Sequence, residues 1–245
     1  MKTPLLFLCL LSLTVNCSDR NQESTKTEEF KKIVLIDAPS FSISTPDIIK
    51  MADGRMVDAC PTMNVIGEEG PEICKIHVDK VTYFKQGDAI RFFACVGYSF
   101  DGAHGDAGQN GFVLAEYNNE KWDVVDFIQV HTVGNWGNSL EIKNQYLLGS
   151  TSYGYYGLSC EGGQGFEACT SYIIGFVDDK ISILLEELSH EDNRASGVEP
   201  LVCVSTEYKP IRSENQHYAI QRTWFDGVNY TTSMLKFNPQ KLLYE

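Results

Sequence analysis

Lys80-Val-Thr-Tyr-Phe84, then Gln86-Gly87-Asp88, then Ala89-Ile-Arg-Phe-Phe-Ala-Cys-Val-Gly-Tyr98 reads as strand, turn, strand. β-branched and aromatic residues suit a pleated, half-buried backbone, and Gly87 supplies a turn conformation that other residues resist. This one hairpin sets the reading of the chain, because the same signature returns downstream. Phe112–Tyr117 and Lys121–Phe127 flank Asn118-Asn119. Ser171–Val177 and Lys180–Leu185 flank Asp178-Asp179. Arg222–Phe225 and Val228–Ser233 flank Asp226-Gly227, the strongest two-residue turn signal in the chain.

Further strands are expected at Ile33–Ile36, Gln145–Leu148 and Tyr153–Ser159. Pro46–Met51 predicts one helical turn, Leu184–Leu188 a short helix, and Pro61–Glu72 and Ser189–Pro200 loops. Turn signals about every ten residues predict an all-β domain of antiparallel hairpins: a sandwich, a barrel or an irregular propeller. Tyr153–Tyr156 and His217–Ile220 each lead through a turn into a further strand, a loose internal echo. No linker divides the region from residue 30 to 245, which reads as one domain.

Upstream lies a different kind of sequence. Met1-Lys2 precedes the apolar run Pro4–Val15, 12 residues long and too short for a permanent bilayer span. Cys17 follows directly, and Ser18–Glu29 (SDRNQESTKTEE) is polar and lacks large apolar residues, as a flexible tether would. Signal, cysteine and tether together resemble a bacterial lipoprotein precursor, with residues 1–16 as signal peptide and 17–29 as tether. The resemblance implies acylation of Cys17 and a membrane anchor. With Ser18 rather than Asp after the cysteine, it also implies an outer-membrane lipoprotein facing periplasm or exterior. The other reading is an ordinary secretory signal cut after Cys17, giving a soluble secreted protein.

The eight cysteines agree with export. Cys9 lies in the signal, and Cys60, Cys74, Cys95, Cys160, Cys169 and Cys203 remain for disulfides in an oxidising compartment. Six cysteines allow 15 connectivities and sequence alone does not choose among them; local spacing favours Cys60–Cys74 and Cys160–Cys169, with Cys95–Cys203 as a long-range staple. The chain has no C-x-x-C pair, which argues against structural zinc.

The net charge of −13 repels nucleic acid, and no Lys/Arg cluster offsets it, so nucleic-acid binding is excluded. The acidic balance suits solubility and would attract a basic protein partner.

Motifs for chemistry are sparse. Gly157-Leu158-Ser159-Cys160-Glu161 lacks the closing glycine of a nucleophile elbow, and His190-Glu191 lacks the second His of a zincin. Gly163-Gln164-Gly165 leads into a strand, so no helix N-terminus would face a pyrophosphate. Ser99–Asn110 places Asp101, His104 and Asp106 among three glycines, where carboxylates and carbonyls could curl around a weakly held Ca²⁺. The plainer reading is a solvated loop, and no other cofactor is expected. Trp136, between Gly134 and Gly137, and Tyr153 and Tyr155 are the aromatic candidates for ligand contact, and the plainer reading has Trp136 closing one end of the core and the tyrosines in core and edge packing. These readings predict an exported binding module for a ligand or protein, such as an inhibitor or immunity factor against a basic enzyme. The alternatives are a secreted hydrolase acting through the Asp101/His104/Asp106 loop and a structural envelope component.

Overall fold

A computed structural model describes residues 31–57, 74–100, 107–132, 137–198 and 202–245. Strands β1 (Ile33–Ile36), β2 (Lys75–Gln86), β3 (Ala89–Ser99), β4 (Gln109–Asn118) and β5 (Lys121–His131) form one antiparallel sheet. Strands β6 (Glu141–Leu147), β7 (Tyr153–Gly163), β8 (Phe166–Val177), β9 (Lys180–Asp192), β10 (Cys203–Ile211), β11 (Ala219–Phe225) and β12 (Tyr230–Leu235) form a second. Spatial order equals chain order in both, so each sheet is a meander. Helix α1 (Thr45–Asp53) lies between β1 and β2 in the chain, and β13 (Phe237–Asn238) with β14 (Leu243–Tyr244) closes it. Among the described residues, no helix is long and apolar enough to cross a membrane.

Turn chemistry sets the hairpins. Asp178 and Asp179 have φ of 48° and 66°, the paired positive values that match the twist of the flanking strands. The β4–β5 turn sits one residue later than the sequence predicts. Asn118 still pairs with Lys121, and Asn119 and Glu120 make the bend at φ 49° and 64°. The β11–β12 loop has four residues instead of two, because the Asp226 carboxylate accepts from the amides of Val228 and Asn229 at 2.9 and 2.7 Å.

The two sheets pack face to face. Phe84, Phe93, Cys95, Phe112 and Leu114 from the first meet Tyr153, Tyr155, Tyr172, Ile174 and Phe176 from the second. Phe84 stacks on Phe176 at 5.2 Å and Phe93 on Tyr155 at 4.8 Å. Of the three predicted shapes, this is the sandwich. β3 reads as an unbroken apolar run because both of its faces are covered. Phe93 and Cys95 face the other sheet, while Phe92, Ala94, Val96 and Tyr98 face Ile48 and Ala52 of α1. That helix is nine residues long, longer than predicted, with Ser44 accepting from the Asp47 amide at its start.

The expected helix at Leu184–Leu188 is strand β9. Ile173 pairs with Leu185 and Ile174 with Ile183, so Leu184 is the extra residue of a β-bulge. The bulge breaks the two-residue alternation. It lets Ile183 join the inner core while Leu184 and Leu185 join an outer one with Tyr208, Ile220, Leu235 and Tyr244. The loop expected from Ser189 begins later, since β9 runs to Asp192.

Cys160 and Cys169 face each other across β7 and β8, 4.0 Å apart at Cα, and are disulfide-bonded. Cys74 is also disulfide-bonded, and Cys60 lies outside the described residues. The Cys95–Cys203 staple does not form, and both thiols are free. Cys95 is buried inside the first sheet, whereas Cys203 begins β10 beside Asp192 of β9 in the second.

Candidate functional site

Tyr153 and Tyr155 are core residues, 1% and 0% exposed, and no ligand can reach them. Burial pushes the Tyr153 hydroxyl up to about 12 and raises that of Tyr155 as well. Their hydroxyls are used internally: Tyr153 donates to Gln145 Oε1 at 2.8 Å and Tyr155 to the Phe93 carbonyl at 2.6 Å. The other predicted contacts, Asp101, His104, Asp106, Trp136 and the lipidation residue Cys17, lie outside the described residues.

An exposed indole does exist, that of Trp224 on β11. Thr206, Trp224 and Thr231 form one row across β10, β11 and β12, and Tyr208, Arg222 and Ser233 form the next. Alternation puts both rows on one sheet face. Ile220 and Leu235, one row further, are covered by Phe237 and Tyr244 of the C-terminal segment. The Trp224 end of the face is open. Trp224 is 43% exposed, and Leu188 of β9 beside it is 56% exposed.

Polar groups at this open end are fixed in position. The Glu187 carboxylate accepts from Arg222 Nη1 at 2.7 Å and from the Tyr208 hydroxyl at 3.0 Å. Arg222 Nε also donates to Ser233 Oγ at 3.1 Å. Burial, then the Glu187 charge, raises the Tyr208 hydroxyl far above its ordinary value, so it remains a donor. Glu187, Leu188, Thr206, Arg222, Trp224, Thr231 and Ser233 line a hollow of about 280 Å³. An indole face, a guanidinium–carboxylate pair and three hydroxyls on a rigid sheet can stack a ring and hydrogen-bond its substituents. The sequence signal was present as Arg222-x-Trp224 facing Thr231-x-Ser233. It is visible only once the register is known.

Three other polar clusters have less to offer a ligand. A wider hollow of about 520 Å³ lies at the tip of the β7–β8 hairpin, but its guanidinium, Arg194, is held by both oxygens of Asp192. Cys160, Glu167 and Cys169 come together beside it with metal-ligand spacing. Both sulfurs are already joined to each other and cannot serve as thiolates. At the end of the sandwich, Asp79 is the extra residue of a bulge in β2. It contacts His77 Nε2 at 2.9 Å, accepts from the Cys95 thiol at 3.6 Å and accepts from Asn110 Nδ2 at 3.5 Å. Burial raises the Asp79 carboxyl above its ordinary value, against the opposing pull of His77. Gly97 makes room for the cluster: a Cβ there would lie 2.8 Å from both Asp79 Oδ2 and His77 Cε1. Asp79 thus serves three partners, of which His77 is exposed.

Comparison with known protein families, with curated proteins and with solved structures finds no match to this chain.

Proposed function

We propose that this protein is an exported, lipid-anchored binding module of a bacterial envelope, holding its ligand on the outer face of β9–β12. One observation carries the reading: the half-exposed Trp224 indole beside the hydrogen-bonded Arg222–Glu187 pair. A saccharide is the ligand class that fits, because its ring C–H face stacks on indole while its hydroxyls meet Arg222, Glu187, Thr206, Thr231 and Ser233. The test is a glycan array followed by titration of Trp224 fluorescence, with Trp224→Ala as control. Binding that survives Trp224→Ala, or no binding to any envelope saccharide, rejects the site.

The envelope location is supported by the lipoprotein-like first 29 residues and the disulfides. Intact-mass measurement of the mature chain tests acylation at Cys17. The net charge of −13 supports an additional basic protein partner. Pull-down from envelope extracts at low and high salt tests that, and recovery of no basic protein at low salt counts against it.

One observation favours the hydrolase reading. His77, in contact with Asp79, pairs with Gly97, two residues before β3 ends at Ser99 and the chain enters the Asp101/His104/Asp106 segment. Loss of an activity in both His77→Ala and His104→Ala would favour it over pure binding.

A further inference from the structure

Each of the two large sheets has two edges, and among the described residues three of these four are protected against pairing with another strand. β1 is only four residues long. β5 carries Asp123 and Asp126 and is broken by a bulge at Val125. β6 carries Glu141 and Lys143 and is broken by a bulge at Lys143. β12 has none of these devices. Tyr230-Thr231-Thr232-Ser233-Met234-Leu235 contains no charge and no proline, and pairs with β11 through six consecutive residues without a register break. Among the described residues, only β11 pairs with it.

Exposed apolar side chains gather at the same edge. Val228 is 81% exposed, Tyr230 75% and Met234 46%. Soluble chains seldom leave such a group uncovered without a partner for it.

We propose that β12 pairs antiparallel with β12 of a second copy about a two-fold axis at Thr232. Three properties of the strand select a second copy. It is neutral, so two chains that each carry −13 can approach there without adding like charges to the contact. It is self-complementary: with Thr232 opposite itself, Tyr230 of each copy faces Met234 of the other, an aromatic–thioether contact on one face. On the opposite face Thr231 meets Ser233, a hydroxyl pair. A two-fold pairing also consumes both edges and closes, so it does not propagate into a fibre.

The pairing joins the two seven-stranded sheets into one. Because Thr231 and Ser233 also line the Trp224 hollow, the two hollows meet across the axis on one continuous face. The dimer stands independently of the ligand assignment.

Sedimentation equilibrium on the mature chain tests the proposal, with melting curves to confirm that each variant folds. The wild-type chain should sediment at twice its monomer mass, with little dependence on salt. Thr232→Lys, which places two ammonium groups on the axis, should give the monomer mass at the same concentration. Thr232→Cys should oxidise to a dimer whose cross-link maps to 232–232 by mass spectrometry. A monomeric wild type, a dimer that persists in Thr232→Lys, or a dimer without the 232–232 cross-link each overturns it.

Discussion

Phe93 on β3 and Tyr155 on β7 are joined twice across the sandwich. Their rings stack at 4.8 Å, and the Tyr155 hydroxyl donates to the Phe93 carbonyl at 2.6 Å. The same hydroxyl lies 3.0 Å from Thr82 Oγ1, which is itself 3.1 Å from the Tyr153 hydroxyl. The inter-sheet core is therefore tied by polar bonds within an apolar layer. Tyr155→Phe keeps the stack and removes the hydrogen bond, which should cost about 1–3 kcal/mol because buried partners lose a bond. Tyr155→Ala also opens a cavity and should cost about 3–5 kcal/mol. Urea unfolding measures both. Ligand binding should be unchanged in Tyr155→Phe, which separates this tyrosine from Trp224.

Gly154 and Gly175 oppose each other on β7 and β8, where the backbone is tightly packed. A Cβ on Gly175 would lie 2.4 Å from the Tyr153 carbonyl oxygen and 2.8 Å from the Gly154 Cα. Backbone atoms cannot swing aside as a side-chain tip can. Gly175→Ala should therefore destabilise by about 1–3 kcal/mol, the usual cost of overpacking. Gly197, whose added Cβ would meet nothing within 4 Å but whose φ is 70°, should show only the milder cost of its backbone conformation when changed to Ala. Equal melting temperatures for Gly175→Ala and wild type would contradict the packing described.

What could be read from sequence followed from how local each cause is. Asp178-Asp179 marks a hairpin because those two residues themselves adopt positive φ, and Cys160–Cys169 follows from a short hairpin bringing its own strands together. Leu184 misled because a bulge inserts a residue and destroys the alternation on which a strand is recognised. Tyr153 and Tyr155 admit both a ligand-contact patch and core packing on sequence, and the structure puts them in the core, because whether a strand face is wet depends on a second sheet whose position no local pattern encodes. Trp224 is the converse: β10–β12 run beyond the covered part of the outer face, leaving an indole open that composition alone would place inside. Cys95 and Cys203 both stand in apolar runs, but apolar surroundings do not report which sheet a strand joins.

The cysteines give a direct chemical check. Cys95 is 0% exposed, and burial with the neighbouring Asp79 charge pushes its thiol well up. Native alkylation should label the half-exposed Cys203 and spare Cys95 until the chain is unfolded. Cys160 and Cys169 should label only after reduction. Replacing both by Ser should cost about 2–3 kcal/mol, the value for a loop of roughly ten residues. Rapid native labelling of Cys95, mapped by peptide mass, would refute its place in the core.

His217 sets a pH dependence. Its Nδ1 lies 3.0 Å from Ser152 Oγ, its ring is 4.2 Å from that of Phe237, and its backbone bridges Gly149. It thus fastens the β6–β7 turn to the C-terminal segment. Burial holds its pKa below the ordinary 6.5, with Asp178 opposing in part. Between that lowered value and 6.5 the unfolded chain binds a proton that the folded chain does not, so acidification favours unfolding. Its contribution is complete above 6.5 and is lost as pH falls through the folded value. Carboxyls whose values are lowered act below their ordinary values. Asp192, lowered to about 2 by Arg194, and Asp226, lowered by the Asn229 and Val228 amides, lose their contributions below 3.8. Asp79, raised by burial, acts above 3.8 with the opposite sign, favouring the folded state as pH drops. The melting temperature should therefore fall as pH drops from about 7 into the His217 window, and His217→Gln should flatten that slope. An identical slope in the variant would assign the dependence to another group.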